Sequence, residues 1–270
     1  MKNLRNLTMG LVTAFFLVTA CDKSEEPFTP TVEKEITRAE MQNKANPQDE
    51  EGAQHNDFLD YLVVHADVKQ EISREKLVSL YKAFYASQKM EFNETEMRNL
   101  NLRLEAFGAM KIGGPYINPD LCKRFPGICN LTGTGPYNPV ELLAPSNGGT
   151  AYERATKYLA AIRNEETKIM KNDDLTEDEK QIVLTYYAVA RHSAAYWHNV
   201  AYVQKEKSGW YDVYSEAAAV APCHLCDIAN ADASGAVIGG VIAGPPGAGA
   251  GAASVSAGVA AHKFLDWLFN

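Results

Sequence analysis

Residues 175–204 read LTEDEKQIVLTYYAVARHSAAYWHNVAYVQ, and this stretch decides the fold class. Its opening Thr176-Glu177-Asp178-Glu179 has the capping-box form: the threonine oxygen takes the Glu179 amide while Glu179 reaches back to the amide of Thr176. Acids in that first turn also complement the positive end of the helix dipole. The run that follows predicts one long helix reaching about residue 205. Tyr186, Tyr187, Tyr196, Trp197 and Tyr202 crowd this helix. Aromatic residues at helical spacing belong first to a core, although the same stripe could stack on a sugar.

Working outward, the same helical periodicity recurs. Residues 150–170 are amphipathic (YERATKYLAAIRNEETKIM from Tyr152), and residues 211–219 form a shorter segment. Toward the N-terminus, Phe58, Leu59, Leu62 and Val63 repeat at three and four from Asn56 onward, as do Ile72, Leu77, Leu80, Tyr81 and Phe84. Thr95 opens another segment through Leu104 and Phe107. Between these halves, residues 113–149 hold six of the twelve prolines and many glycines, which should prevent helices from persisting there. Strand-type alternation is absent. The expectation is a mainly α fold: an irregular helical bundle with a Pro/Gly-rich loop and a C-terminal Gly/Ala-rich helical hairpin.

The hairpin is expected within residues 231–270. From Ser234 to Ala261 the chain carries no charge, eight glycines, nine alanines and Pro245-Pro246 at its centre. The proline pair divides it into two arms of about 18 to 22 Å if helical, each too short to cross a hydrocarbon core of ~30 Å. Small residues recur at every fourth position, through Gly235 and Gly239, Gly240 and Gly244, Gly247 and Gly251, and Ser254 and Gly258. That spacing lets helix backbones approach closely, in the manner of a glycine zipper. Val237, Ile238, Val241 and Ile242 can then face lipid or neighbouring helices. The chain ends in an amphipathic stretch whose Trp267 suits a membrane interface. Gly235, Gly239, Gly240, Gly244, Gly247, Gly251, Gly258 and Trp267 are thus the candidate contacts with membrane or partner. Packing on the protein's own helices and a flexible low-complexity end are the competing readings.

The N-terminus, MKNLRNLTMGLVTAFFLVTAC, has a short basic region at Lys2 and Arg5 and then an apolar run of signal-peptide length. It closes on Val18-Thr19-Ala20-Cys21. This resembles the bacterial lipobox, in which small residues precede a cysteine that is acylated on sulfur and becomes the mature N-terminus. The resemblance implies Cys21 as the lipidation site and a bilayer anchor of two or three chains, enough for stable attachment. Asp22-Lys23-Ser24-Glu25-Glu26 resembles the acidic tag that follows the cysteine in surface lipoproteins of the Bacteroidota. Residues 46–63, NPQDEEGAQHNDFLDYLV, are similar to an Asn-Pro-x-Asp and His-Asn-x-x-Leu-Asp-Tyr pattern in exported Bacteroidota proteins with glycine-rich tails. Together these imply a lipid-anchored outer-membrane protein, with exposure at the cell surface favoured, and they imply no activity.

On this reading residues 1–20 are a signal peptide, 21–52 an acidic flexible stalk, 53–230 the helical domain and 231–270 the hairpin. Cleavage before Cys21 removes two basic residues and no acid, moving the formal charge from −8 to about −10. That excludes nucleic acid as a natural partner.

Cys122, Cys129, Cys223 and Cys226 remain, an even number that favours disulfides in an oxidising compartment. A local Cys122–Cys129 pair would close a loop; a crossed arrangement tying that loop to the tail is its rival. Cys223-His224-Leu225-Cys226 invites a thiol-disulfide oxidoreductase reading, which lacks the strands of a thioredoxin scaffold. A zinc site would need unusual spacing. His192 and His198 lie on different faces of their helix. His55, Asp57 and Asp60 fit an N-cap region, and Asp173, Asp174 and Glu177 to Glu179 lack the alternation of a calcium loop. No catalytic residue, metal site or cofactor is therefore expected. The functional expectation is a non-enzymatic, lipid-anchored envelope protein whose tail engages the membrane, a partner or its own copies. The alternatives are a surface lipoprotein binding a small molecule or glycan through its helical domain, and the oxidoreductase.

Overall fold

Thr176 begins the central helix as its side chain predicts: its oxygen accepts the Glu179 amide at 3.2 Å, and Glu179 Oε2 accepts the Thr176 amide at 2.9 Å. Thr37 with Glu40 and Thr150 with Glu153 make the same reciprocal caps. The structure, a computed structural model, describes residues 33–70, 72, 74–91, 123, 143, 148–218, 225, 226, 228, 229, 232, 233, 235 and 236. The chain divides into Met1–Val32 and Glu33–Asn270, and every described residue belongs to the second unit. Of the described residues, 75% are helical and none lies in a strand, so the fold is the expected mainly α irregular bundle.

Six α-helices carry the described chain: α1 Arg38–Met41, α2 Asp49–His65, α3 Arg74–Ser87, α4 Ala151–Met170, α5 Glu177–His198 and α6 Tyr211–Ala218. A π-helical turn, Asn199–Gln204, and a 3₁₀ turn, Lys205–Lys207, continue α5. Two details differ from expectation. The second helix starts at Asp49 rather than Asn56, because Gly52 and Ala53 are small enough to bury. Lys123 and Leu143, inside the Pro/Gly stretch, are helical, and Leu143 is buried with the core.

Helix α5 is the axis of the bundle, packed by α2 on one side and α4 on another. It is buried almost all round from Val183 to His198, as expected of a helix without a solvent face. Gly52 permits the α2 crossing: a Cβ there would lie 2.5 Å from His192 Cδ2 and 2.7 Å from the Ala188 carbonyl. The aromatic residues fill the core. Phe58 stacks on Tyr81 at 4.0 Å, and Trp197 meets Trp210 edge-on at 5.7 Å and Tyr214 face-on at 5.9 Å. Each such side chain contributes roughly 1.5–3 kcal/mol by leaving water. The Trp210 indole also donates to the Leu59 carbonyl at 3.2 Å.

The larger correction concerns residues 33–52, expected within the flexible stalk. They form a strap laced onto α4 and α5. Both oxygens of the Glu33 carboxylate accept amides at the start of α4, from Ala151 and Tyr152 at 3.0 Å each. Those amides have no partner inside the helix, and the dipole there favours an anion. His198 Nε2 donates to the Lys34 carbonyl at 3.0 Å. The Asn199 amide takes both backbone groups of Ile36, accepting its N–H at 2.9 Å and donating to its carbonyl at 2.8 Å. Ile36 itself is fully buried. Acidic composition suggested a solvated chain; Glu33 and Glu40 instead cap helices and Asp49 pairs with Arg191.

Truncating Asn199 to alanine strands the buried Ile36 N–H and carbonyl together. Equilibrium urea unfolding should show a loss of about 2–4 kcal/mol. A loss below ~0.5 kcal/mol would mean that the strap is not held by this amide.

Candidate functional site

Polar residues inside the apolar wall of α5 build the only dense cluster of charge among the described residues. At its centre the Arg191 side chain is fully buried. Its guanidinium donates to the Met41 carbonyl, to Asp49 Oδ1 at 2.5 Å and to Glu166 Oε1 at 2.8 Å. It thereby joins the strap, α2, α4 and α5 at one point. Glu166, also fully buried, accepts from Asn43 Nδ2 at 2.6 Å and from Asn46 Nδ2 at 2.7 Å. The Arg163 guanidinium, one turn before Glu166 on α4, donates to the carbonyl of Glu40, the residue before Met41. A planar fork such as guanidinium can serve three acceptors in fixed directions, which a lysine cannot.

Asp49 receives three donors: Arg191, the Asn43 amide at 3.1 Å and His192 Nε2 at 3.1 Å. Burial disfavours its charge, but the His192 hydrogen bond and the Arg191 charge outweigh that and hold the carboxyl well below its usual range. Burial lowers His192, with Asp49 opposing, so its ring is neutral near pH 7 and carries the proton on Nε2. Glu51, one turn from the α2 start, has the opposite fate. Burial, helped by the Glu50 charge, raises its carboxyl to about 8, and its Oε2 has no hydrogen-bond partner.

A second group lies beside the first. Asp232 is fully buried and its Oδ2 accepts the Ser193 hydroxyl at 2.5 Å and the Trp197 indole at 3.2 Å. His55 Nε2 lies 3.3 Å from the same oxygen but is misaligned for a hydrogen bond. The Asn56 amide donates to the His192 carbonyl at 3.2 Å, which turns its oxygen toward His55 Nδ1 at 2.9 Å. Serine, histidine and aspartate thus meet, but in the wrong order for nucleophilic catalysis: the hydroxyl proton goes to the carboxylate rather than to an imidazole. All three side chains are inaccessible to solvent, so a substrate could reach them only if the helices parted. What this arrangement does chemically is hold segments together.

No family model, curated protein or solved structure matches the chain, so the site rests on its own geometry. Among the candidates from sequence, Cys226 is buried and disulfide-bonded, its partner lying outside the described residues. Gly235 is helical and buried, and neighbouring Ala236 packs on Val189 of α5. The core therefore continues past residue 230, where the helical domain was expected to stop. Cys21, Cys122, Cys129, Cys223, Gly239, Gly240, Gly244, Gly247, Gly251, Gly258 and Trp267 lie outside the described residues. His192 and His198 point to different partners, as expected of their spacing. His55, Asp57 and Asp60 diverge from mid-helix positions rather than lining an N-cap: Asp57 pairs with Arg38 at 3.7 Å and Asp60 accepts from Tyr196 at 2.9 Å. No group of metal-binding side chains occurs among the described residues.

The residues that organise the site, Arg191, Glu166, Asn46, Asp49, Ser193 and Asp232, were not singled out by sequence reasoning for this role. Two signals pointed there. Arg191, His192 and Ser193 interrupt an otherwise apolar helix, and a buried charge demands a partner. The Asn46-Pro-x-Asp49 and His55-Asn56 pattern supplies four side chains of the network.

Glu51 sets a pH dependence. Between its unfolded value of 4.5 and its folded value of about 8, the folded chain keeps a proton that the unfolded chain has lost. Stability therefore falls as pH rises through that window. The urea midpoint of the wild type should decline from pH 5 to 8, and Glu51→Gln should flatten the decline and be the more stable protein at pH 8. Parallel declines would contradict the assignment.

Proposed function

We propose that this is a lipid-anchored, non-enzymatic protein of the cell envelope, held to the outer membrane through acyl chains on Cys21, whose glycine-rich tail engages the membrane surface or a partner there. The observation that carries the reading is the Val18-Thr19-Ala20-Cys21 ending of the apolar run. Several features of the body support it. About a dozen residues of sequence separate Cys21 from the strap that begins at Glu33. No described helix is long and apolar enough to cross a membrane, so attachment falls to the ends. Ser193, His55, His192 and Asp49 make their side-chain contacts inside the body, to Asp232, Asn56, each other and Arg191.

The aromatic helix favours a ligand-binding role less. Trp197 is fully buried with its indole donated to Asp232. Stacking on a glycan would require that core to open. Cys226, 1% exposed and already in a disulfide, is also poorly placed for thiol exchange.

The experiment follows labelled palmitate in cells and dye release from vesicles. The wild type should incorporate palmitate and Cys21→Ser should not. A chain lacking residues 237–270, a cut that spares Asp232, should keep its label and its helical circular dichroism while losing vesicle leakage or self-association. Label in Cys21→Ser, or unchanged leakage and association in the truncated chain, would refute the corresponding half.

A further inference from the structure

Glu33 to Ile36, at the start of the strap, form a non-helical arm that the body holds as a groove holds a peptide. At its first position the Glu33 carboxylate takes the Ala151 and Tyr152 amides at the start of α4, at 3.0 Å each. Three main-chain groups of the arm are then read by side chains of the body. His198 donates to the Lys34 carbonyl at 3.0 Å. The Asn199 carboxamide accepts the Ile36 N–H at 2.9 Å and donates to the Ile36 carbonyl at 2.8 Å. The Ile36 side chain enters the main core, whereas Lys34 and Glu35 lie exposed. Lys34 meets the Tyr152 hydroxyl at 2.7 Å along the surface.

We propose that the α4 N-terminus, His198 and Asn199 form a peptide-recognition site for segments of other proteins, and that the arm is its tethered competitor. The segment it takes carries a carboxylate side chain and, three residues on, a branched aliphatic one. In grooves of this kind main-chain hydrogen bonds supply affinity and side-chain pockets supply specificity. Any residue except proline offers the pair of groups that Asn199 reads, so the middle of the segment is free to vary. Selection falls to the two ends: the helix N-terminus favours an anion, and the Ile36 position is apolar and fully buried. The arm is also separable from the polar network of the body. Thr37 caps α1 through its own bonds with Glu40, and the contacts to Arg163, Arg191 and Glu166 begin only at Glu40. An outside segment can therefore replace the arm while α1 stays in place. Tethering gives the arm an effective concentration on the order of millimolar, so the site opens to others when the arm is weakened or outnumbered. The proposal is independent of the lipid anchor and of the tail.

The test is fluorescence anisotropy of an acetylated peptide, Glu-Lys-Glu-Ile-Thr-Arg (residues 33–38), labelled at its C-terminus and added to the mature full-length protein. Ile36→Asp disables the arm and should bind the peptide about tenfold more tightly than the wild type, whose own arm competes. Glu33→Gln, a milder change, should bind it several-fold more tightly and serves where Ile36→Asp does not fold. Adding Asn199→Ala to either variant, with helical circular dichroism retained, should weaken binding about tenfold, because two hydrogen bonds are lost. A peptide with aspartate at the Ile36 position should not bind. One with alanine at both middle positions should bind within about fivefold of the original, since only the exposed Lys34 contact is removed. Equally weak binding by the wild type and the folded arm variants overturns the proposal. Affinity that survives Asn199→Ala puts the peptide elsewhere and overturns it as well. Loss of binding by the alanine peptide would restrict the groove to the chain's own arm, and a site for other proteins would be ruled out.

Discussion

A single guanidinium sets the geometry of the folded body. Arg191 sits at the middle of the most buried helix, where an unpaired charge would be prohibitive. Its terminal nitrogens find acceptors at Met41 of the strap region, Asp49 at the start of α2 and Glu166 on α4, while its Nε is buried without a hydrogen-bond partner. Apolar packing alone would let helices slide or rotate with modest cost. The fixed fork admits one arrangement of four segments, and Asn43 and Asn46 complete it by satisfying Glu166. A buried network of this kind is a poor source of raw stability and a good source of uniqueness.

The same helix organises both ends of the described chain. Along its last turns, His198 and Asn199 hold the backbone at Lys34 and Ile36, while Ser193 and Trp197 hold Asp232. The strap and the segment around Asp232 therefore share one scaffold. The π-helical turn at Asn199–Gln204 contributes by widening the helix where Asn199 turns toward Ile36. Lys205 closes that turn at φ 48° and ψ −128°, a conformation that strongly favours glycine. Its presence there records the strain of ending a π turn beside the strap.

The helices were legible because their signals are local. The Thr176 capping box and the spacing of Leu, Tyr and Phe depend on residues within a turn of one another, and α4, α5 and α6 fell close to their expected limits. The strap was not legible. Glu33, Glu40 and Asp49 read as solvated acids by composition, and only their partners at Ala151, Thr37 and Arg191 make them structural. Those partners lie mostly more than a hundred residues away in sequence, beyond the reach of any periodicity. The site failed to show itself for the same reason. By local pattern Arg191 is one polar residue in an aromatic helix, and Asp232 is the last charge before an uncharged stretch. What the sequence did carry was the pattern around Asn46, Asp49, His55 and Asn56, noticed as a resemblance and explained only by the buried contacts.

Arg191 and Glu166 form a coupled pair that joins strap and helices in one unit. The direct measurement is a double-mutant cycle on the mature chain, combining Arg191→Met with Glu166→Gln in equilibrium urea unfolding. Each single change should destabilise by about 3–5 kcal/mol, because each leaves a buried partner uncompensated, and the double variant should lose clearly less than the two losses combined. Additive losses, or single losses below ~1 kcal/mol, would contradict the account.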